Sequence, residues 1–253
     1  MSFLHKLGLV GVRTFSRTAP ANRHPLHGNG VHGAGPGLTP VNSPRSAEMQ
    51  EITRTSKGFK EFLWNLDGLG RGALLDLGPV WQTTLSFFIE RGFRVTAEDL
   101  FCAWKDFCRE EEKHLQVALG GALDTAEDRT PEGRAARFLE SNLRFPAASF
   151  DAVLMWDLLD YLEPSLARSV VSVVSGAVRP GGVVFAMFHS RKPECFHRYR
   201  VADSMTLQML PAAEMVPVQR VYQNREIQDL FGEYRSMKSL VSRDQLREVL
   251  FIK

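Results

Sequence analysis

Hydrophobic and polar positions change in blocks along the second fifth of the chain, and the blocks predict a strand, a helix and a second strand. Residues 73–77 are an apolar run that contains one aspartate and stops at Gly78 and Pro79. Residues 82–91 are amphipathic, and the short apolar run 93–97 ends on two acidic residues. This order is typical of the first unit of nucleotide-type α/β folds, which bind ligands outside the carboxyl ends of their strands.

A second unit of the same type follows at residues 149–189. Residues 152–156 are continuously apolar, as expected for a parallel strand that is buried on both faces. Residues 165–178 carry leucine and valine at helical spacing and are followed by a proline and two glycines. Residues 183–188 then predict a strand that ends at His189.

The remaining segments give weaker patterns. We expect a short helix that covers the sheet within residues 48–66 and a helix or helical insert within residues 101–121. A third strand is expected between residues 125 and 148, although no clear pattern for it is present. Residues 198–210 and 216–222 are expected to be β-rich, and residues 224–232 are a candidate for a short helix. Residues 234–241 and 246–252 predict the two strands of a final β-hairpin.

Composition and charge narrow the class of protein. The chain has 253 residues, of which 44% are hydrophobic and 24% charged, as in ordinary globular proteins. The net charge is +2, but residues 1–47 hold five basic and no acidic residues, so the remainder is at −3. A body so close to neutral gives no electrostatic reason to expect a nucleic acid partner. No apolar run approaches the length of a transmembrane helix, and three cysteines do not make a disulfide framework.

The first 47 residues read as a basic tail rich in Gly, Pro and His that is expected to be disordered, and residues 48–253 as one domain. Residues 1–17 are basic, acid-free and mildly amphipathic, which leaves three interpretations: the disordered N-terminus of a cytoplasmic bacterial protein, which is the default, an organelle transit peptide or a weak membrane-surface helix. His24, His27 and His32 have no cysteine or carboxylate nearby, and Cys195 with His197 supplies two ligands. No metal site is therefore predicted.

Four motifs in sequence order carry a resemblance to a known family. They are LDLG at residues 75–78, the acidic pair at 98–99, SFDAVLMWDLLDYL at 149–162 and VRPGGVVFAMF at 178–188. In this order the chain resembles class I S-adenosylmethionine-dependent methyltransferases, and particularly the bacterial methyltransferase-like proteins with LDLGP in the first turn. The resemblance implies an α/β, Rossmann-like sandwich with a mostly parallel seven-stranded sheet and a C-terminal antiparallel β-hairpin, and S-adenosylmethionine as the cofactor.

The resemblance also implies a set of cofactor-binding residues. In the family, the first turn has the form acid-x-Gly-x-Gly-x-Gly, and here it begins with Asp76, Gly78 and Pro79, while Val80 and Gln82 stand at the later glycine positions. Val80 and Trp81 are expected to put bulk where the cofactor would normally lie. The other implied binding residues are the ribose acid, which is either Glu98 or Asp99, and the edge residues Trp156 and Asp157.

The resemblance places candidate catalytic residues at the ends of the fourth and fifth strands of that sheet. Methyl transfer needs in-line positioning and, for a protic acceptor, one general base. His189 is the first candidate for that base, followed by Asp157 and Tyr161. The alternatives are structural: a strand-end histidine, an aspartate that caps the next helix, and, for Glu98 and Asp99, an acid that caps the helix from Phe101.

Two functions of different class follow. The first is methyl transfer from S-adenosylmethionine to an unidentified small-molecule or protein acceptor. The second is a methyltransferase fold that has lost its cofactor and acts as a non-catalytic binding or scaffold protein, which the reduced glycine motif motivates. A dinucleotide dehydrogenase is a distant third, because one glycine is a poor match to GxGxxG.

Overall fold

The computed structural model describes residues 51–117, 130–212, 216–242 and 244–253. The expectations for the tail at residues 1–47, including a targeting segment at residues 1–17 and the three histidines, lie outside the described residues. Part of the segment in which a third strand was expected also lies outside them.

Within the described residues, six strands form the main sheet. They are β2 (Gly72–Asp76), β3 (Phe93–Ala97), β4 (Phe150–Trp156), β5 (Val178–His189), β8 (Ser236–Val241) and β9 (Leu246–Ile252). Their order is β3-β2-β4-β5-β9-β8. The first four strands pair in parallel, and β9 runs antiparallel to both of its neighbours, β5 and β8.

The expected Rossmann-like α/β architecture is confirmed, but the expected number of seven strands is wrong. The described chain between β3 and β4 contains helices, and the segment that precedes β4, residues 130–149, forms no strand. That segment is rich in charged residues and alanine, which favour helix over a buried parallel strand. Among the strands that the structure describes, β3 is therefore the edge on this side.

Six α-helices accompany the sheet in the described residues. They are α1 (Lys57–Leu66), α2 (Gln82–Ile89), α3 (Leu100–Val117), α4 (Pro131–Asn142), α5 (Pro164–Ala177) and α6 (Asn224–Leu230). They cover both faces of the sheet, and consecutive strand residues point to opposite faces. On one face, Leu74 belongs to the core with Phe59 of α1 and Phe88 of α2. On the other face, Leu75 belongs to the core with Phe138 of α4 and Val170 of α5. This burial on two faces explains the continuous apolar runs in the sequence.

A second sheet of three strands lies on the α1 and α2 face. Its strands are β1 (Ile52–Thr55), β6 (His197–Val201) and β7 (Thr206–Pro211), in the order β1-β7-β6. The expectation of a helix within residues 48–66 is correct only for the second part of this segment. The first part, rich in β-branched residues, forms β1. Helix α1 begins after Ser56, whose Oγ accepts a hydrogen bond from the Phe59 backbone N–H at 2.9 Å. Residues 216–222, expected to be β-rich, contain no strand.

None of the helices that the structure describes combines the length and the apolar composition needed to cross a membrane.

A buried ion pair joins the small sheet to the main sheet. Arg54 on β1 lies 2.9 Å from a Glu248 carboxylate oxygen on β9, and their side chains are 6% and 3% exposed. The other Glu248 oxygen accepts the Gly58 backbone N–H at 2.7 Å. Arg54 also contacts the half-exposed Asp244 at 3.2 Å. The guanidinium therefore compensates a carboxylate that is removed from water.

Removal of this cation gives a test of the junction. The substitution Arg54→Met keeps the aliphatic stem but leaves Glu248 charged and buried, which typically costs about 3–5 kcal/mol. We expect the free energy of unfolding in urea to fall by that amount. The matched control is Arg109→Met, which breaks an exposed pair with Asp106 worth at most about 1 kcal/mol. Equal losses for the two variants would contradict the proposed role of Arg54.

Candidate functional site

A narrow cleft lies at the carboxyl ends of β2, β3 and β4, and its free volume of about 20 Å³ has room for about one water molecule. Each wall comes from a different element. The turn after β2 and the first residues after β3 form one side, the end of β4 forms the floor, and the start of β6 forms the opposite side. The lining residues are Leu77, Gly78, Pro79, Asp99, Phe101, Met155, Trp156, Asp157, Leu158, Tyr161, Phe196, His197, Arg198 and Tyr199.

Asp76 fixes the turn at one side of the cleft. Its Oδ1 accepts hydrogen bonds from the Gly78 backbone N–H at 2.9 Å and from the Trp156 indole Nε1–H at 2.7 Å. The side chain is 1% exposed, and burial raises its pKa to about 6 although both hydrogen bonds act in the opposite direction. One carboxylate thus connects the end of β2 to the end of β4.

Gly78 is required here by the approach of Trp156. A Cβ on residue 78 would lie 2.3 Å from the indole Nε1, closer than any real contact. Trp156 itself has φ of +52°, a left-handed conformation that bulky residues rarely adopt, and it lies at a register shift between β4 and β5. The glycine therefore allows close packing of the protein's own indole against the turn.

Val80 and Trp81 occupy a different position from the one expected. The lining of the cleft includes Pro79 but neither of these two residues. Val80 is 45% exposed, and the Arg200 guanidinium lies 5.6 Å from the centre of the Trp81 ring. The bulk that lies on the turn comes instead from Trp156, which the sequence places 80 residues away.

Asp99 faces the cleft after β3, and its carboxylate has two partners. Oδ1 accepts the Cys102 backbone N–H at 3.1 Å in the first turn of α3, so the expected capping interaction is present. Oδ2 forms an ion pair with Arg198 from β6. Glu98 is half-buried and donates its backbone N–H to the Asp76 carbonyl oxygen at 2.8 Å. Of the acidic pair, Asp99 is the residue that lines the cleft.

Asp157 lies at the inner end of the cleft and has polar neighbours from β5 and β6. Its Oδ2 accepts the Tyr199 hydroxyl at 3.2 Å and lies 3.8 Å from the His189 Nε2. Burial raises its pKa to about 7, and the nearby Asp160 charge adds to this, while the His189 charge opposes it. Asp157 stands at the N-cap position of the 3₁₀ turn at Leu158–Tyr161, as the capping alternative expected, but its side chain makes no capping hydrogen bond there.

Asp160 is a site residue that the sequence interpretation missed. It is fully buried in the 3₁₀ turn, and its Oδ2 accepts both the backbone N–H of His189 at 2.7 Å and the ring Nδ1 at 3.0 Å. Burial lowers the pKa of His189, but the Asp160 hydrogen bond and the Asp157 charge outweigh this, and the net pKa is raised. An acid inside the apolar run LLDYL was the available signal, because acids are seldom buried without a partner.

Two further wall residues, Arg198 and Tyr199, were also missed. They lie on β6, in a stretch expected to be β-rich but given no site role. The Tyr199 ring stacks on the Trp156 indole with centroids 5.9 Å apart and planes 5° from parallel. Arg198 and Tyr199 reach the cleft only because the small sheet packs against the main sheet. No local sequence motif predicts this packing of one sheet on the other.

The site thus combines carboxylates, a histidine and aromatic faces. His189 has one ring nitrogen on Asp160 and the other directed towards Asp157, an arrangement suited to accepting a proton. Within the residues that the structure describes, no group of three or more His, Cys, Asp or Glu side chains could hold a metal ion.

Comparison with solved structures finds methyltransferases at low similarity. A 1,6-didemethyltoxoflavin-N1-methyltransferase from Burkholderia thailandensis, with bound 1,6-didemethyltoxoflavin and S-adenosylhomocysteine, is 15% identical over 78% of each chain, with a TM-score of 0.41. An S-adenosylmethionine-dependent methyltransferase from Mesorhizobium loti is 15% identical over 76% of this chain and 96% of its own, with a TM-score of 0.42. Because these scores are below 0.5, the fold assignment rests on the observed strand order.

No protein-family model matches the sequence, and no curated protein matches it.

The raised pKa of Asp157 predicts a pH dependence of stability. Between the unfolded value of 3.8 and the folded value of about 7, the folded state binds more protons, so the free energy of unfolding decreases as pH rises. Asparagine at this position does not ionise. We therefore expect the stability of Asp157→Asn relative to wild type to increase by at least about 1 kcal/mol between pH 5 and pH 8.

Urea unfolding at several pH values measures this difference. Glu140→Gln, which alters an exposed acid, is the control and should show no such trend. A difference between Asp157→Asn and wild type that stays constant with pH would contradict the raised pKa.

Proposed function

We propose that the cleft binds S-adenosylmethionine and that the protein transfers the methyl group to a protic acceptor. One observation carries the proposal: Asp99 and Asp157, which follow β3 and β4, line one cleft, and the buried Asp76 at the end of β2 holds the turn beside them. Two of them have pKa values raised towards neutrality by burial. Titratable groups perturbed in this way concentrate at functional sites.

The donor set fits the chemistry of this cofactor. Asp99, with the adjacent Glu98, offers carboxylate oxygens that can accept hydrogen bonds from ribose hydroxyls. The backbone of Gly78 and Pro79 and the aromatic faces of Trp156 and Phe101 offer an apolar surface for the rest of the ligand. A sulfonium cation is favoured beside aromatic faces and ionised carboxylates. When bound, the cofactor supplies an activated methyl group.

His189 and Asp157 are the proposed proton acceptors for the reaction. The Asp160 carboxylate holds the Nδ1 side of the His189 ring, so Nε2 remains directed towards Asp157 and the inner end of the cleft. A protic acceptor that approached this end would find a base whose orientation is already fixed. The Tyr199 hydroxyl, which donates to Asp157, holds that carboxylate in place.

A second candidate function is a non-catalytic binding or scaffold role, and two contacts favour it. The Trp156 indole packs directly on Gly78, and the Arg198 guanidinium pairs with Asp99. Both contacts occupy surface that the cofactor would use. Binding therefore requires Arg198 to leave Asp99 and the indole to yield space at the turn.

Binding of S-adenosylhomocysteine, the demethylated product, separates the two functions. At about 100 times Kd, a ligand stabilises the folded state by roughly 2.7 kcal/mol, which is on the order of 5 °C in melting temperature for a domain of this size. We expect this shift for wild type and its loss in the double variant Glu98→Ala with Asp99→Ala. The control is Glu90→Ala with Glu140→Ala, which removes two exposed acids.

The contradicting result is the absence of any shift, together with no heat in calorimetry. An identical shift in both double variants would show that the protein binds the ligand without the proposed contact between the ribose and the Glu98/Asp99 pair.

Arg198→Ala tests whether the cation competes with the ligand. The Arg198–Asp99 pair is partly exposed, with side chains at 17% and 22%, and such pairs contribute up to about 1 kcal/mol. Removing Arg198 frees the carboxylate, so the affinity for S-adenosylhomocysteine should rise up to about fivefold. Titration calorimetry on wild type and variant measures the ratio. Weaker binding by the variant would mean that Arg198 contacts the ligand itself.

A further inference from the structure

A groove between α5 and α6 has more free volume than the cleft. The free volume is about 210 Å³ in one half of this α5–α6 groove and about 200 Å³ in the other, compared with about 20 Å³ in the cleft. Arg168 of α5 and both Asp229 and Leu230 of α6 line the two halves, so the halves form one space. The groove shares no described lining residue with the cleft. Concave spaces between helices are common ligand sites, so the polar groups of this one indicate what it can hold.

Two opposite charges in the α5–α6 groove are left without a partner. Arg168 and Asp229 are both exposed, and neither side chain forms a hydrogen bond or an ion pair with a described residue. Arg220, by contrast, is paired with Glu226. The Glu233 carboxylate accepts a hydrogen bond from a serine hydroxyl within the groove. One cation and one carboxylate, on the two helices that border the groove, are therefore available to a ligand.

A buried hydroxyl beside these charges also lacks a partner. Tyr222 is 4% exposed, and its Oη makes no hydrogen bond with the residues that the structure describes. The residue is held by ring packing on Phe188, with centroids 5.8 Å apart, and by the Arg247 guanidinium, which donates to its carbonyl oxygen at 3.1 Å. Burial, reinforced by the Asp160 charge, raises the pKa of Tyr222 to about 12, while the Arg168 charge opposes this. The hydroxyl is thus a donor near Arg168 that an acceptor oxygen would satisfy.

We propose that the α5–α6 groove binds a small zwitterion of the amino-acid class. The ligand carboxylate accepts hydrogen bonds from the Arg168 guanidinium and the Tyr222 hydroxyl, and the ligand ammonium group lies against Asp229. Pro164 and Leu230 offer apolar surface to the ligand side chain. A ligand with both charges is favoured, because a simple anion would meet the Asp229 charge and a simple cation the Arg168 charge. The site lies outside the cleft and does not rest on the proposed methyl transfer.

Titration calorimetry of the full chain with three related compounds tests the proposal. L-Phenylalanine carries both charges, phenylalaninamide lacks the carboxylate, and N-acetylphenylalanine lacks the ammonium group. We expect phenylalanine to bind at least about tenfold more tightly than either analogue, because each analogue loses one charge-assisted contact. Absence of binding at millimolar phenylalanine, or equal binding of the three compounds, would overturn the proposal.

Two variants assign each charge of the ligand to its partner. In Arg168→Gln, phenylalanine and phenylalaninamide should bind equally, because the carboxylate has lost its cation. In Asp229→Asn, phenylalanine and N-acetylphenylalanine should bind equally. The matched control is Arg225→Gln, at an exposed residue of α6 that does not line the groove, and it should keep the wild-type preference. The wild-type preference in Arg168→Gln or in Asp229→Asn would contradict the proposed contacts.

Tyr222→Phe keeps the ring packing and removes only the hydroxyl. We expect the affinity for phenylalanine to fall about fivefold, the effect of one hydrogen bond. Because the hydroxyl has no partner among the described residues, the variant should melt at or above the wild-type temperature, which verifies that it folds. An unchanged affinity in the folded variant would overturn the assignment of this hydroxyl to the ligand carboxylate.

Discussion

The buried carboxylate of Asp76 is the interaction on which the cleft depends. It connects the turn after β2 to the indole of Trp156 at the end of β4, and it does so from a position that is 1% exposed. Burial makes ionisation costly, and the two hydrogen bonds offset part of that cost. The geometry of the floor and of one wall therefore depends on one side chain, and Gly78 is needed because the indole must reach it.

At the inner end of the cleft, several buried ionisable side chains are likewise held by hydrogen bonds between strand ends. Asp157, Asp160 and His189 are all buried, and each has a partner that limits the penalty of removing it from water. Asp160 binds the backbone and the ring of His189 at once, so the orientation of the ring is coupled to the position of β5. The catalytic candidates are thus held by the same contacts that join the strand ends.

Much of the fold could be predicted, because a parallel sheet buried on both faces leaves continuous apolar runs such as residues 152–156. The predicted strand ends also indicated Asp99 and Asp157, which line the cleft, and His189, which lies behind Asp157. The small sheet could not be predicted, since β1, β6 and β7 pair across long separations in sequence. Arg198 and Tyr199 were missed for this reason, and Asp160 because its burial follows from the 3₁₀ turn.

The close packing over Gly78 and the β6 wall of the cleft are connected. A glycine-rich turn leaves open space for a ligand, whereas here Trp156 fills the space over Gly78 and is itself stacked on Tyr199 from β6. The adjacent residue on the same strand, Arg198, pairs with Asp99. Strand β6 therefore supplies both the Tyr199 ring that packs on Trp156 and the Arg198 cation that pairs with Asp99. A movement of β6 away from β4 would free the Asp99 carboxylate and remove the Tyr199 ring from the indole, while Asp76 would still hold the indole. The proposed cofactor binding therefore depends on the position of this strand.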